Sequence, residues 1–310
     1  MIIYVIKRLL LIIPIMLAVS FIVFTIMSLT PGDPARIILG PEAPQEAVDQ
    51  LNTELGFDRP FLYRFANFII GAVTRFDFGF SYRTSIPVVE EVRARVPVSM
   101  RVAFNAILLA TAIGIPLGIV SAVKQYTFID NMSRVMGIFL ASVPAFWLGL
   151  MLIYVFSLRL GIFPTSGIGS WRNYVLPMVT LALPYSGIQL RFTRSAMLET
   201  IRQDYIRTVR AKGVPEGIVI FSHALKNALL PIITIIGVSF GGLLGGAVLT
   251  ESIFTLPGLG TMIVSGIRTK DIPIVMGGTL FFAMMFGIIM LVVDLLYAFV
   301  DPRIKAKYSR

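Results

Sequence analysis

The chain predicts an all-α integral membrane protein with six transmembrane helices and a helical extracytoplasmic loop after the first of them. Three observations predict it. Hydrophobic residues make up 56% of the 310 and charged residues only 14%, whereas soluble domains carry about 25% charged residues. Apolar runs of about twenty residues recur along the chain, the length needed to cross a hydrocarbon core. Lys and Arg gather in alternate connecting segments, the asymmetry expected of cytoplasmic loops. The net charge of +10 therefore belongs to membrane topology. Nucleic acid is not an expected partner, because no basic surface interleaved with aromatic residues accompanies that charge. Cysteine is absent, which excludes disulfides and thiolate metal sites and leaves the redox compartment open.

Lys7 and Arg8 precede the first apolar run, residues 9–29. A cleaved signal peptide has an apolar region of roughly 7–15 residues and a small-residue cleavage site. This run is longer and leads into Thr30-Pro31-Gly32-Asp33-Pro34, so it reads as an uncleaved first span with a cytoplasmic N-terminus. Residues 30–99 are the longest polar stretch, with nine acidic residues against seven Arg and no Lys. Residues 43–55 suit a short helix and 60–73 a second, amphipathic one. A loop of this length is commonly functional or disordered; it reads either as a subdomain that helps dock an extracytoplasmic binding protein or as a packed cap on the helices.

The second span is placed at 100–123, with Gly114, Pro116 and Gly118 available for kinking or close packing. A polar turn at 124–134 leads to a third span at 135–157, interrupted by Pro144. An outward loop at 158–174 precedes the fourth span, 174–190, which Arg191 and Arg194 end on the inner side. The fifth span, 231–250, carries Gly237, Gly241, Gly242, Gly245 and Gly246. Small residues let helix backbones approach closely in lipid, so this surface is a candidate for tight packing or for lining a pathway. A third outward loop at 251–275 precedes the sixth span, 275–300, whose Asp294 is a candidate functional acid by depth or a structural group near the inner interface. The inner segments of this topology hold 15 Lys and Arg against 4 in the two shorter outer loops, which predicts cytoplasmic termini. By domain, residues 1–29 are the N-terminal segment and first span, 30–99 the extracytoplasmic subdomain, and 100–310 a five-helix core.

That core contains a polar, basic interruption at 196–230. Met197, Ile201, Tyr205 and Val209 recur every four residues, which predicts one apolar face on one helix. Arg202, Arg207, Arg210 and Lys212 project from its other faces. Gly213 and Pro215 predict its end, since glycine tolerates a left-handed cap and proline disfavours helix in the residue before it. A second short amphipathic segment, 217–230, returns the chain to Pro231. A stretch of this kind is either a membrane-surface helix or a docking surface for a soluble partner.

The run DYIRTVRAKG (204–213) followed by HALKNALLP (223–231) resembles the cytoplasmic coupling loop of bacterial ATP-binding-cassette importer permeases of the dipeptide/oligopeptide branch. YVIKRLL (4–10), TPGDPAR (30–36), LTESIFTLPGLG (249–260) and VVDLLYAFVDPRI (292–304) extend the resemblance over essentially the whole chain. The Glu-Ala-Ala triplet of the wider superfamily falls here at Arg207-Thr208-Val209, with only the later Gly213 retained. The resemblance implies a type I ABC importer permease fold and a bacterial or archaeal inner-membrane location. It implies a second homologous permease, two cytoplasmic ABC ATPase subunits and an extracytoplasmic substrate-binding protein as partners. It further implies that Asp204, Tyr205, Arg207, Thr208, Arg210, Ala211, Lys212, Gly213, Val214 and Pro215 couple to an ATPase, within a helix over 199–215. ATP and Mg would then sit on those partner subunits, with no cofactor bound by this chain.

The residues are consistent with a non-catalytic role. No glycine-rich phosphate loop occurs, nor any Gly-Lys dipeptide. His223 is the only histidine, which rules out a multi-histidine metal site. Di- or oligopeptides are the expected substrates, with nickel complexes, glutathione and oligosaccharides as alternatives. An ion-coupled secondary transporter is the competing class; it calls for ionisable residues at mid-membrane and internal repeats, and only Asp294 approaches that description.

Overall fold

The computed structural model describes residues 2–30 and 32–300. Met1, Pro31 and the basic tail from Asp301 lie outside the described residues, so TPGDPAR is only partly described and the final DPRI lies wholly outside them. The described chain is helical apart from turns and one isolated antiparallel bridge between Phe80 and Pro87. In chain order the helices are α1 (Ile2–Leu29), α2 (Pro34–Leu39), α3 (Gln45–Glu54), α4 (Phe61–Arg75), α5 (Val88–Val123) and α6 (Phe128–Ser142). Next come α7 (Ala145–Leu152), prolonged by a π-helical stretch to Arg159, then α8 (Arg172–Ile201) and α9 (Asp204–Ala211). The short α10 (Glu216–Ile218) runs through a second π-helical stretch, Val219–Ala224, into α11 (Leu225–Ile253); α12 (Leu259–Thr269) and α13 (Ile272–Val300) complete the order.

Among the described residues, four helical stretches are long and apolar enough to cross a bilayer, and the bent pair α6–α7 makes a fifth if it counts as one span. α8 is not among them, although its 30 residues span about 45 Å at the α-helical rise. Its inward face explains the difference. Thr180, Ser186, Gln189 and Thr193 are buried within the protein, so this helix meets neighbouring helices there and needs no uniformly apolar surface. Pro144 does more than interrupt the predicted third span. Val143 before it is extended (φ −71°, ψ 124°), as the residue before a proline prefers, and the axes of α6 and α7 diverge by 95°.

Two further expectations change. The predicted outward loop at 251–275 contains α12, whose Leu259, Gly260, Met262 and Gly266 are buried. The Leu259 amide donates to Ser99 Oγ at 2.8 Å, which anchors the helix start that the Pro257-Gly258 pair disguised as loop. The helix that carries the predicted fifth span does not begin at Pro231: it runs unbroken from Glu216 to Ile253 with Pro231 inside it.

The chain divides into two compact units. One is built on Lys7–Ser99 and Pro257–Gly287. The expected helices of the long polar stretch appear in it as α3 and α4. Its core gathers Phe78, Val88, Val92, Leu259, Met262 and Ile274. Polar ties supplement that core: Ser81 Oγ donates to the buried Asp271 Oδ2 at 2.5 Å. Asp33 caps α2 through the Ala35 amide and accepts from Asn52 Nδ2 at 2.9 Å.

The other unit is built on Met100–Leu256 with the chain from Ile288 onward. Within it α8 packs against α6, α7 and α11. The α6–α8 crossing is close because both helices offer glycine: a Cβ on Gly187 would lie 2.6 Å from the Gly137 carbonyl oxygen.

Candidate functional site

The basic loop is assembled from the C-terminal end of α8 onward. α8 stops at Ile201; Arg202 keeps helical angles, and Gln203 turns extended (φ −69°, ψ 148°) before α9 begins. The single helix predicted across Met197, Ile201, Tyr205 and Val209 is therefore two helices, and the expected 199–215 helix contracts to Asp204–Ala211. The break changes which residue anchors the loop. Ile206 is fully buried and Tyr205 is exposed, because the two-residue reorientation moves the apolar register by one position. Tyr205 instead accepts a hydrogen bond through its hydroxyl from Asn227 Nδ2 at 2.8 Å.

Beneath α9 lies an apolar base. Met197, Ile206, Val219, Ile220, Ala224, Ala228 and Ile232 pack with Ala122 of α5, and Ile201, Val209 and Val214 close its edges. The chain leaves α9 through Lys212 and Gly213, which has φ +75°. No heavy atom lies within 4 Å of where a Gly213 Cβ would stand. The demand for glycine there is one of backbone conformation alone, as the sequence pattern led us to expect. Pro215 then caps α10 with φ −56°.

Above the base the surface is polar and open. Asp204 and Arg207 form a 3.6 Å ion pair with both side chains largely in solvent. The acid at the first turn of α9 also faces the positive end of the helix dipole. Arg210 reaches across the turn to Glu216 with two contacts, Nη2–Oε1 at 2.6 Å and Nε–Oε2 at 3.1 Å. That carboxylate holds the guanidinium above its usual pKa range. Thr208 bonds back to the Asp204 carbonyl at 3.1 Å. Ala211, Lys212 and Pro215 are exposed and Val214 half-buried. Ile218 and Phe221 add exposed apolar area on the far side of the turn. The ten loop residues thus fall within one continuous surface element, a short helix, its left-handed exit and the following turn.

A buried group that the sequence reading passed over stands in the same unit. Asp130, in the predicted polar turn, is fully buried in α6. Arg194 of α8 grips it with Nε–Oδ1 at 2.7 Å and Nη2–Oδ2 at 2.8 Å. Ser121 Oγ donates to Oδ1 at 2.7 Å and the Tyr126 amide to Oδ2 at 3.0 Å. The carboxylate therefore receives four donors, and α5, α6 and α8 are pinned together where α8 runs toward the loop. The one sequence signal was an acid in an otherwise basic inner turn.

The glycine candidates of α11 separate by environment. A Cβ on Gly237 would lie 2.6 Å from Val293 Cγ2, and one on Gly242 would lie 2.5 Å from the Tyr185 hydroxyl. Gly241 is buried, and Gly246 meets Leu181 at ordinary contact distance. Gly245 faces open space. Asp294 of α13 is buried.

A helical multi-pass protein with this bent-helix core and an exposed basic loop on a buried apolar base has the architecture of an importer permease. The chain belongs to the family of binding-protein-dependent transport system inner membrane components, whose model matches residues 114–306, and the companion N-terminal model of the same systems matches residues 1–103. It is an inner-membrane permease of the ABC-importer class. The glutathione transport system permease protein GsiC of Escherichia coli K12 is 40% identical over 304 residues, covering 98% of this chain and 99% of that protein. GsiC of Shigella dysenteriae matches to the same extent. Among solved structures, the MetNI methionine ABC transporter in an inward-facing conformation superposes with a TM-score of 0.56 at 18% identity, over 69% of this chain and 98% of that one. An amino acid ABC transporter gives 0.52 at 13%, over 69% and 94%. These two likenesses establish the fold.

Proposed function

We propose that this permease forms half of the translocation pathway of an ATP-driven, binding-protein-dependent importer of short peptides, and that α9 with its exit turn couples it to a cytoplasmic ATPase. The observation that carries this reading is the build of the loop. Ile206 and its apolar neighbours fix α9 rigidly to α8 and α11, while Arg207, Lys212 and the Ala211–Pro215 turn remain free to meet a partner. Docking of a helix into a partner's groove needs this division between a fixed base and an open face. ATP-driven motion of the partner would then be transmitted through α9 to the membrane helices. On this reading the loop and both termini are cytoplasmic, a second homologous permease completes the pathway, and two ATPase subunits bind ATP and Mg. An extracytoplasmic binding protein delivers substrate.

Glutathione is the first compound to test, because relatives 40% identical over nearly the full length carry that substrate in their names. It is itself a short peptide, so it fits within the proposed class. The test is affinity purification of the tagged chain from gently solubilised native membranes. Recovery of a second multi-pass chain and of ATPases bearing a phosphate loop, with ATP hydrolysis stimulated by the binding protein and peptide, is expected. A homo-oligomer that moves substrate in liposomes without an ATPase would overturn the reading in favour of ion-coupled transport.

A further inference from the structure

In the unit built on Lys7–Ser99 and Pro257–Gly287, α4 has three faces. At about 100° per residue, Leu62, Ala66, Ile69, Ile70 and Val73 share one arc, and Tyr63, Asn67 and Thr74 form a polar strip beside it. The third face packs inward: Gly71 and Ala72 are buried, and Phe61 and Phe65 meet Phe21 and Phe24 of α1 at ring-centroid distances of 5.2–5.7 Å. The apolar arc is uncovered. Leu62 is 69% and Val73 73% exposed, and Ile70 and Phe76 are exposed with them. This surface continues into a groove of about 260 Å³ lined almost wholly by apolar atoms, among them Ile13 and Leu17 of α1, Ile69 and Val73 of α4, and Leu280 and Phe281 of α13. Ile13 and Leu17 belong to the exposed apolar side of a membrane span. The uncovered face of α4 is thus continuous with the exposed apolar side of a candidate membrane span.

We propose that α4 is an interfacial helix, its Leu62–Val73 face set among the acyl chains of the adjoining leaflet, and that the groove between α1, α4 and α13 holds a phospholipid acyl chain. An apolar arc bordered by a polar strip is the pattern of helices that lie in the membrane interface, and Tyr63 is a residue type that favours headgroup level. The long loop after the first span is therefore fastened to the bilayer along α4 and does not stand free in water. The proposal rests on the membrane location of the chain and not on the coupling reading, so its failure leaves the ATPase test untouched.

The chain has no cysteine, so L62C, V73C and T74C each give one spin-label site on it. The measurement is collision accessibility in the intact assembly in lipid nanodiscs, with background taken from the unsubstituted complex. Labels at 62 and 73 should be relaxed by oxygen and shielded from a water-soluble nickel chelate, whereas the label at 74 should be reached by the chelate. Chelate access at 73 equal to that at 74 would overturn the proposal, as would shielding at 73 from both reagents, which would place a protein partner on the face. A phospholipid bearing a photoreactive acyl chain should label residues 69–76 and 13–17; labelling confined to other spans would remove the groove from the proposal.

Discussion

Two ion pairs in one unit do opposite work. Asp130 and Arg194 meet where the carboxylate is wholly shielded from water and four donors are turned toward it. Arg210 and Glu216 make equally short contacts on the open surface of the loop. Burial makes the first pair a fixed joint of α5, α6 and α8, because breaking it strands a charge in a medium that cannot solvate it. Exposure makes the second pair exchangeable, since water and salt compete for both partners at small cost. The permease thus keeps its permanent electrostatics beneath the loop and its negotiable electrostatics on top, where a partner can take them over.

The largest effect should come from breaking the buried joint. Asp130→Ala leaves Arg194 uncompensated and should cost about 3–5 kcal/mol, read as loss of folded protein in thermal unfolding of the detergent-solubilised chain. An unchanged unfolding temperature would remove the distinction between the two pairs. Next comes Gly213→Val, which puts a β-branched residue at a positive φ that such residues avoid. Insertion should be normal and uptake should fall at least about tenfold, the equivalent of roughly 1.4 kcal/mol; normal uptake at normal expression would argue against coupling through this turn. Reversing charge at Arg207 and Lys212 together should lower ATPase co-purification several-fold, and unchanged stoichiometry would point to lipid contact. The smallest effect belongs to the exposed pair. A double-mutant cycle on Arg210→Ala and Glu216→Ala should give a coupling of about 0.2–1 kcal/mol that shrinks with salt. A coupling as large as that of the buried pair would show that the loop is closed, not open.

Much of this could be read directly. Four of the predicted spans came from apolar run length, α3 and α4 from local pattern, and the left-handed turn from Gly213 followed by Pro215. The losses have a common origin. Ile201 and Tyr205 have the spacing of one helix face, but Gln203 takes an extended conformation and hands the anchoring role to Ile206. α12 was hidden because Pro257-Gly258 signals a turn, whereas the burial of Leu259 and Met262 and the Ser99 contact, 160 residues away, show that a buried helix starts there. The fourth span predicted at 174–190 falls within α8, a helix with a polar buried face that is not among the described helices apolar enough to cross a bilayer; hydropathy cannot tell contact with lipid from contact with protein.

The sequence by itself determined the solvent and the punctuation: which stretches belong in a bilayer, and where glycine and proline permit a turn. Those properties depend on side-chain transfer energies and local backbone sterics, both carried by neighbouring residues. Tertiary structure alone decided that Asp130 meets Arg194 across 64 residues of sequence, that α6 and α7 diverge at Pro144 by 95°, and which apolar faces remain uncovered. Those outcomes depend on what each element packs against, and a partner distant in the chain leaves no mark on local pattern.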